Sequence, residues 1–105
     1  MKEYIVIRDD VPDEFVPDIC AHASLIAHLN FSGNEQYDKW LKESFKKTVV
    51  CANPKEWDKV LESSDYKIVT ESALGGREVA AVFCPRESWA NVFKFMRLWK
   101  PVEKR

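Results

Sequence analysis

The residues of this chain that can do chemistry fall at three places: Arg8-Asp9-Asp10, His22, and the stretch from Glu71 to Arg77. Arg8 and Arg77 are each able to fork a phosphate or a carboxylate, at roughly 1.5–3 kcal/mol per charge-assisted hydrogen bond. Arg8 has an equally plain alternative, pairing with Asp10 or Glu78. Asp9 and Asp10 are able to hold a metal or ribose hydroxyls, or simply to cap a turn. His22 is a packing residue or a base, and the first reading is the commoner one for a histidine beside an apolar helix stretch. Ser72 has no neighbouring His/Asp pattern that would activate it as a nucleophile. Gly75-Gly76 either lets a phosphate reach backbone amides or makes a plain turn. The three cysteines, Cys20, Cys51 and Cys84, show no CxxC and no Cys/His zinc spacing, so no metal site and no cofactor is assigned.

Something must position these groups, and the pattern of apolar residues predicts what. Residues 3–8 read as a central strand and the 9–18 stretch as a turn with Pro12 and Pro17 leading into a helix. Ile19, Ala23, Ile26 and Ala27 carry that helix to about 30–33. A short, partly exposed helix follows over 34–44, on which Tyr37 and Trp40 are expected to present their rings for stacking or for an interface. His28 is placed on the surface, and the other tryptophans in the core. A strand over 46–52 leads to Asn53-Pro54-Lys55-Glu56, which has the signature of a capping box. Two more strands, 66–70 and 79–84, are joined through the paired glycines. A last helix is expected from Pro85 to about Trp99, with Trp89, Val92, Phe93 and Met96 on one face. The expectation is a single α/β domain over 1–105: three layers, with a four-stranded mixed sheet and helices on both faces.

Bulk properties restrict the function. Apolar residues are 46% and charged residues 31%, a globular balance. No run approaches the about 20 apolar residues that span a bilayer, and the opening residues read as a strand rather than a signal peptide. Cysteines in apolar surroundings suit reduced core thiols and a cytoplasmic location. The net charge of −1 disfavours a large tRNA-gripping surface and leaves room for a small anionic ligand. Lys39, Lys42, Lys46 and Lys47 are diluted by Asp38 and Glu43 and read as a solvated face.

Two segments carry a family resemblance. Tyr4-Ile5-Val6-Ile7-Arg8-Asp9-Asp10-Val11 with Ile19-Cys20-Ala21-His22-Ala23 resembles the opening of the type-two peptidyl-tRNA hydrolases, where a strand ends in Arg-x-Asp-Leu and a helix carries Gln-Cys-x-His-Ala. Val79 to Pro85 with the closing segment is similar to that family's last strand, Gly-Pro turn and final helix. The departures bear on activity. The family's Lys-Gly-Lys, whose second lysine serves catalysis, is replaced by the shorter Asp13-Glu14-Phe15, and its glutamine by Ile19. Its Asp-Ala-Gly-x-Thr corresponds loosely to Thr70-Glu71-Ser72-Ala73. The shortened turn more closely resembles uncharacterised bacterial proteins of the same fold.

The reading that follows is a non-catalytic binding module on that scaffold, sequestering a small anionic, nucleotide-like ligand. Its site would be drawn from Arg8, Asp9, Asp10, His22, Ser72, Gly76 and Arg77. The enzyme alternative is a divergent peptidyl-tRNA hydrolase or other ester hydrolase using Asp10, His22 and Glu71. A homodimeric interaction module, using the last helix or the Tyr37/Trp40 surface, is the third.

Overall fold

An apolar run bounded by Lys2 and Arg8 has to be covered on two sides, and it is. Strand β1 (Lys2–Arg8) buries every residue from Glu3 to Ile7. It pairs in parallel with β2 (Lys47–Ala52) and antiparallel with β4 (Arg77–Arg86). Strand β3 (Tyr66–Glu71) flanks β4, and a two-residue strand β5 (Arg97–Leu98) flanks β2, giving the order β3-β4-β1-β2-β5. The computed structural model describes residues 1–102.

Alternation along the strands divides the core in two. Ile5, Ile7, Val69, Ala80, Val82 and Cys84 face a layer formed by α1 (Val16–Phe31) and α2 (Glu35–Glu43). Tyr4, Val6, Val50, Ala81 and Phe83 face the other way, toward α3 (Pro54–Val60) and α4 (Asn91–Phe95). The mixed sheet with helices on both faces therefore holds. Among the described residues no helix is long and apolar enough to cross a membrane.

The helix boundaries follow local chemistry. Helix α1 begins with Pro17 in its first turn, and the chain beyond it turns at Gly33 with φ 94°. Asn34 caps α2 by accepting from the Gln36 and Tyr37 N–H groups. At α3 the expected capping box is present in both directions: Asn53 Oδ1 accepts from Glu56 N at 2.8 Å, and Asn53 N donates to Glu56 Oε1 at 3.0 Å.

The expected four strands are five, and the last helix is shorter than its apolar spacing predicts. Strand β4 runs on through Pro85, which sits where the β1–β4 register slips between Tyr4↔Phe83 and Lys2↔Arg86. A residue without an N–H is tolerated at such an irregularity. Helix α4 begins only at Asn91 and stops at Phe95, with Met96 extended at φ −69°, ψ 145°. Trp89, Phe93 and Met96 still reach the second core, because a short helix with extended flanks serves that spacing as well as a long helix. What decides against the helix is the outer edge of β2, whose backbone groups need partners. Arg97 and Leu98 pair with Cys51 and Val50, and Trp99 N donates to Val49 O at 2.9 Å.

Candidate functional site

The carboxyl end of β1 delivers Arg8 to a rim shared with the turn before α1 and the start of β4. Asp9 N donates to Ala52 O at 2.9 Å, and Val11 is buried beneath the turn, which fixes where Asp10 points. Arg77, on the facing edge of β4, donates from Nη1 to Asp10 Oδ2 at 3.1 Å and from Nη2 to Asp10 O at 3.2 Å. Arg8 Nε lies 3.9 Å from the other carboxylate oxygen of Asp10, and its guanidinium sits 5.2 Å from the ring centre of Trp57. Two cations from different strands thus converge on one half-exposed carboxylate. Exposed pairs of this sort contribute at most about 1 kcal/mol each, so they orient the groups more than they stabilise the fold.

A second group forms beside α1. Glu71, expected in the connection after the third strand, is instead the last residue of β3 and is 6% exposed. Its Oε2 accepts from Ala73 N at 3.2 Å, whereas its Oε1 is buried with no hydrogen-bond partner among the described residues. His22 does not pack into the core as its neighbours suggested: it stands half-exposed on the outer face of α1, with Nε2 3.8 Å from Asp18 Oδ2. One ligand atom each from Asp18, His22 and Glu71 lie within 4.8 Å of one another. Of the residues named for an enzyme, the fold brings His22 and Glu71 together and draws Asp10 to the arginines.

The glycine turn is used up by its own hydrogen bonds. Gly75 N donates to Ser72 O and Gly76 N to Glu71 O, with both glycines at positive φ (74° and 75°). Ser72 is exposed at the start of the 3-10 turn that spans Ser72–Leu74. These amides therefore shape the end of β3 and hold Glu71 in place.

Sequence reasoning missed a third feature, a cavity of about 370 Å³ between α1, α2 and the starts of β1 and β2. Its floor is Glu3, 1% exposed, both of whose carboxylate oxygens are buried without a partner among the described residues. Burial pushes the Glu3 carboxyl up to about 7, with Lys47 pulling the other way. Apolar and aromatic walls come from Leu25, Trp40, Leu41 and Phe45, and the Lys47 ammonium lies 3.4 Å from the Phe45 ring centre. Such a lining suits an apolar molecule carrying one donor group. The available signal was a glutamate at an inward position of an otherwise apolar strand.

The same region corrects the expectation for Tyr37 and Trp40, which are 2% and 1% exposed rather than surface platforms. Trp40 Nε1 donates to Lys46 O at 2.8 Å, and the Tyr37 hydroxyl shares a 3.2 Å hydrogen bond with Nδ1 of the exposed His28. The exposed large apolar side chains are instead Leu25, Leu29, Phe45, Phe95, Leu98 and Val102. None of the three cysteines forms a disulfide; Cys51 and Cys84 are buried, and burial with the nearby Asp65 carboxylate pushes the Cys84 thiol up to about 11. No protein-family model matches the chain, and no curated protein matches it significantly.

Proposed function

We propose that the chain is a non-catalytic binding module that holds a small anionic, nucleotide-like ligand at the rim of Arg8, Asp10 and Arg77. The observation that carries this reading is the convergence of two guanidinium groups on Asp10, from β1 and from β4. Asp10 stands where an anion would. A ligand phosphate brings more charge and more acceptor oxygens, so it takes over the fork while the half-exposed Asp10 turns to solvent. Trp57 keeps the Arg8 guanidinium oriented during the exchange. The acidic neighbours Asp9, Asp13 and Glu14 repel a long polyanion such as tRNA more than a single phosphate group.

Native mass spectrometry of the freshly purified protein identifies any co-purified anion, and titration with that nucleotide measures its affinity. Arg77→Ala is expected to weaken binding about 10- to 100-fold, the equivalent of one charge-assisted hydrogen bond. Asp10→Asn, which removes the internal competitor, is expected to tighten it. A nucleotide that binds the Arg8→Ala/Arg77→Ala double variant as tightly as the unaltered chain sinks the reading.

A hydrolase of the type-two peptidyl-tRNA kind is the second reading, supported by the approach of His22 to Glu71. In it His22 is the base and Glu71 orients the imidazole. Its test is cleavage of peptidyl-tRNA, lost in His22→Ala.

A further inference from the structure

We infer that Asp18, His22 and Glu71 form a binding site for one divalent transition-metal ion of the zinc class. The inference is separate from the anion-binding proposal, since Arg8, Asp10 and Arg77 supply none of its ligands.

Three observations combine. The first is spacing: Asp18 and His22 stand one turn apart on the exposed face of α1, with Nε2 and Oδ2 3.8 Å apart. The second is convergence across the fold. Glu71 comes from the end of β3, and the three ligand atoms lie within 4.8 Å of one another. Ligand atoms at about 2.0–2.2 Å from a zinc-class ion lie roughly 3–3.5 Å apart. Binding therefore requires the two exposed side chains, Asp18 and His22, to rotate toward Glu71.

The third observation is the one a chance cluster of surface groups would lack. Glu71 is more than nine-tenths buried, one oxygen is fixed by Ala73 N, and the other has no partner among the described residues. A buried carboxylate oxygen left without a partner is costly. A cation held jointly with His22 satisfies it. The carboxylate is also prepositioned, because the Gly75 and Gly76 N–H groups close the turn around it. On the helix side, Ile19 and Ala23 are fully buried and anchor the turn that bears Asp18 and His22.

The donor set selects the ion. One imidazole with two carboxylates suits zinc, cobalt, nickel or manganese, whereas calcium asks for six or more oxygens and copper(I) for sulfur. Three protein ligands leave a coordination position to water, the pattern of an open site.

The test uses the tag-free chain, stripped with chelator and titrated with Zn²⁺ by calorimetry and with Co²⁺ by visible absorption. One ion per chain is expected, with a Co²⁺ spectrum typical of four- or five-coordinate nitrogen and oxygen ligands. His22→Ala, at an exposed position, is expected to keep the thermal unfolding of the metal-free protein and to weaken binding at least tenfold. Glu71→Gln keeps the acceptor for Ala73 N and is expected to weaken binding similarly. Absence of binding to the unaltered chain overturns the inference, as does binding that survives both substitutions unchanged.

Discussion

Glu3 is the residue at which burial and charge conflict most sharply. Its folded carboxyl titrates at about 7 against an ordinary 4.5, with desolvation as the main cause and Lys47 opposing it. Between those values the native state keeps a proton that the unfolded chain releases, so the contribution of Glu3 to stability is fully present below pH 4.5 and is lost as the pH rises through 7. At about 1.36 kcal/mol for each pH unit separating the two values, the loss is on the order of 3 kcal/mol. Denaturant unfolding at a series of pH values is expected to show this decline, and Glu3→Gln to flatten it. A wild-type slope that persists in Glu3→Gln assigns the effect elsewhere. Cys20, Tyr37 and Cys84 are all shifted upward by burial, so they act only in the alkaline range and do not confuse this window. Arg8, Asp10 and Arg77 were grouped in one candidate site from the ends of the expected strands, and the fold brings these three together. Residue identity misplaced His22, Tyr37 and Trp40, since a polar helix whose aromatics lie one turn apart reads the same whether that face meets water or a neighbouring helix. Trp40 shows the difference in energy: with its ring buried, Trp40→Ala is expected to cost about 3–5 kcal/mol in unfolding experiments instead of changing an association equilibrium.

Elements were legible where their ends carry their own chemistry. The Asn53-Pro54-Lys55-Glu56 start of α3 could be read from four letters, because both hydrogen bonds of the box are local. Removing the cap in Asn53→Ala is expected to lower stability by about 1 kcal/mol, measured as a shift in the denaturation midpoint with unchanged slope. A change near zero implies that the Trp57 and Val60 packing holds α3 without its cap. The Gly75-Gly76 pair was legible for the same reason, as a turn that needs positive φ. The fifth strand was not. Arg97 and Leu98 are exposed and carry no alternating pattern of their own. They are strand only because β2 offers them an unpaired edge, which is a tertiary cause invisible to a window of sequence. The Glu71 site lies between these cases: its turn was legible, but its approach to α1 depends on where β3 ends relative to the helix.

At the scale of the whole molecule, the segment after β4 ties the two layers together. Phe93 and Met96 belong to the core under α3 and α4, Arg97–Leu98 pair along the edge of β2, and Trp99 packs against the core under α1 and α2. The chain thus passes from one face of the sheet to the other around that edge, and Val102 N then donates to Asp13 Oδ2 at 2.6 Å, next to the rim. Strands β1 and β2, which pair in parallel, need this closure more than an antiparallel hairpin would, because no short turn joins them. Ending the chain after Met96 removes the Trp99 packing, its hydrogen bond to Val49 O and the strand pairing along Val50 and Cys51, while leaving Phe93 and Met96 in place. The expected loss is about 3 kcal/mol, from a few net hydrogen bonds of about 1 kcal/mol each and part of a tryptophan's burial. Amide exchange should separate this from a general weakening. Protection is expected to fall first along β2, while β3 and β4 exchange only through global opening. Equal acceleration in all strands means that the closing segment stabilises the domain as a whole; unchanged protection along β2 means that the edge is self-sufficient and that β5 does not hold it.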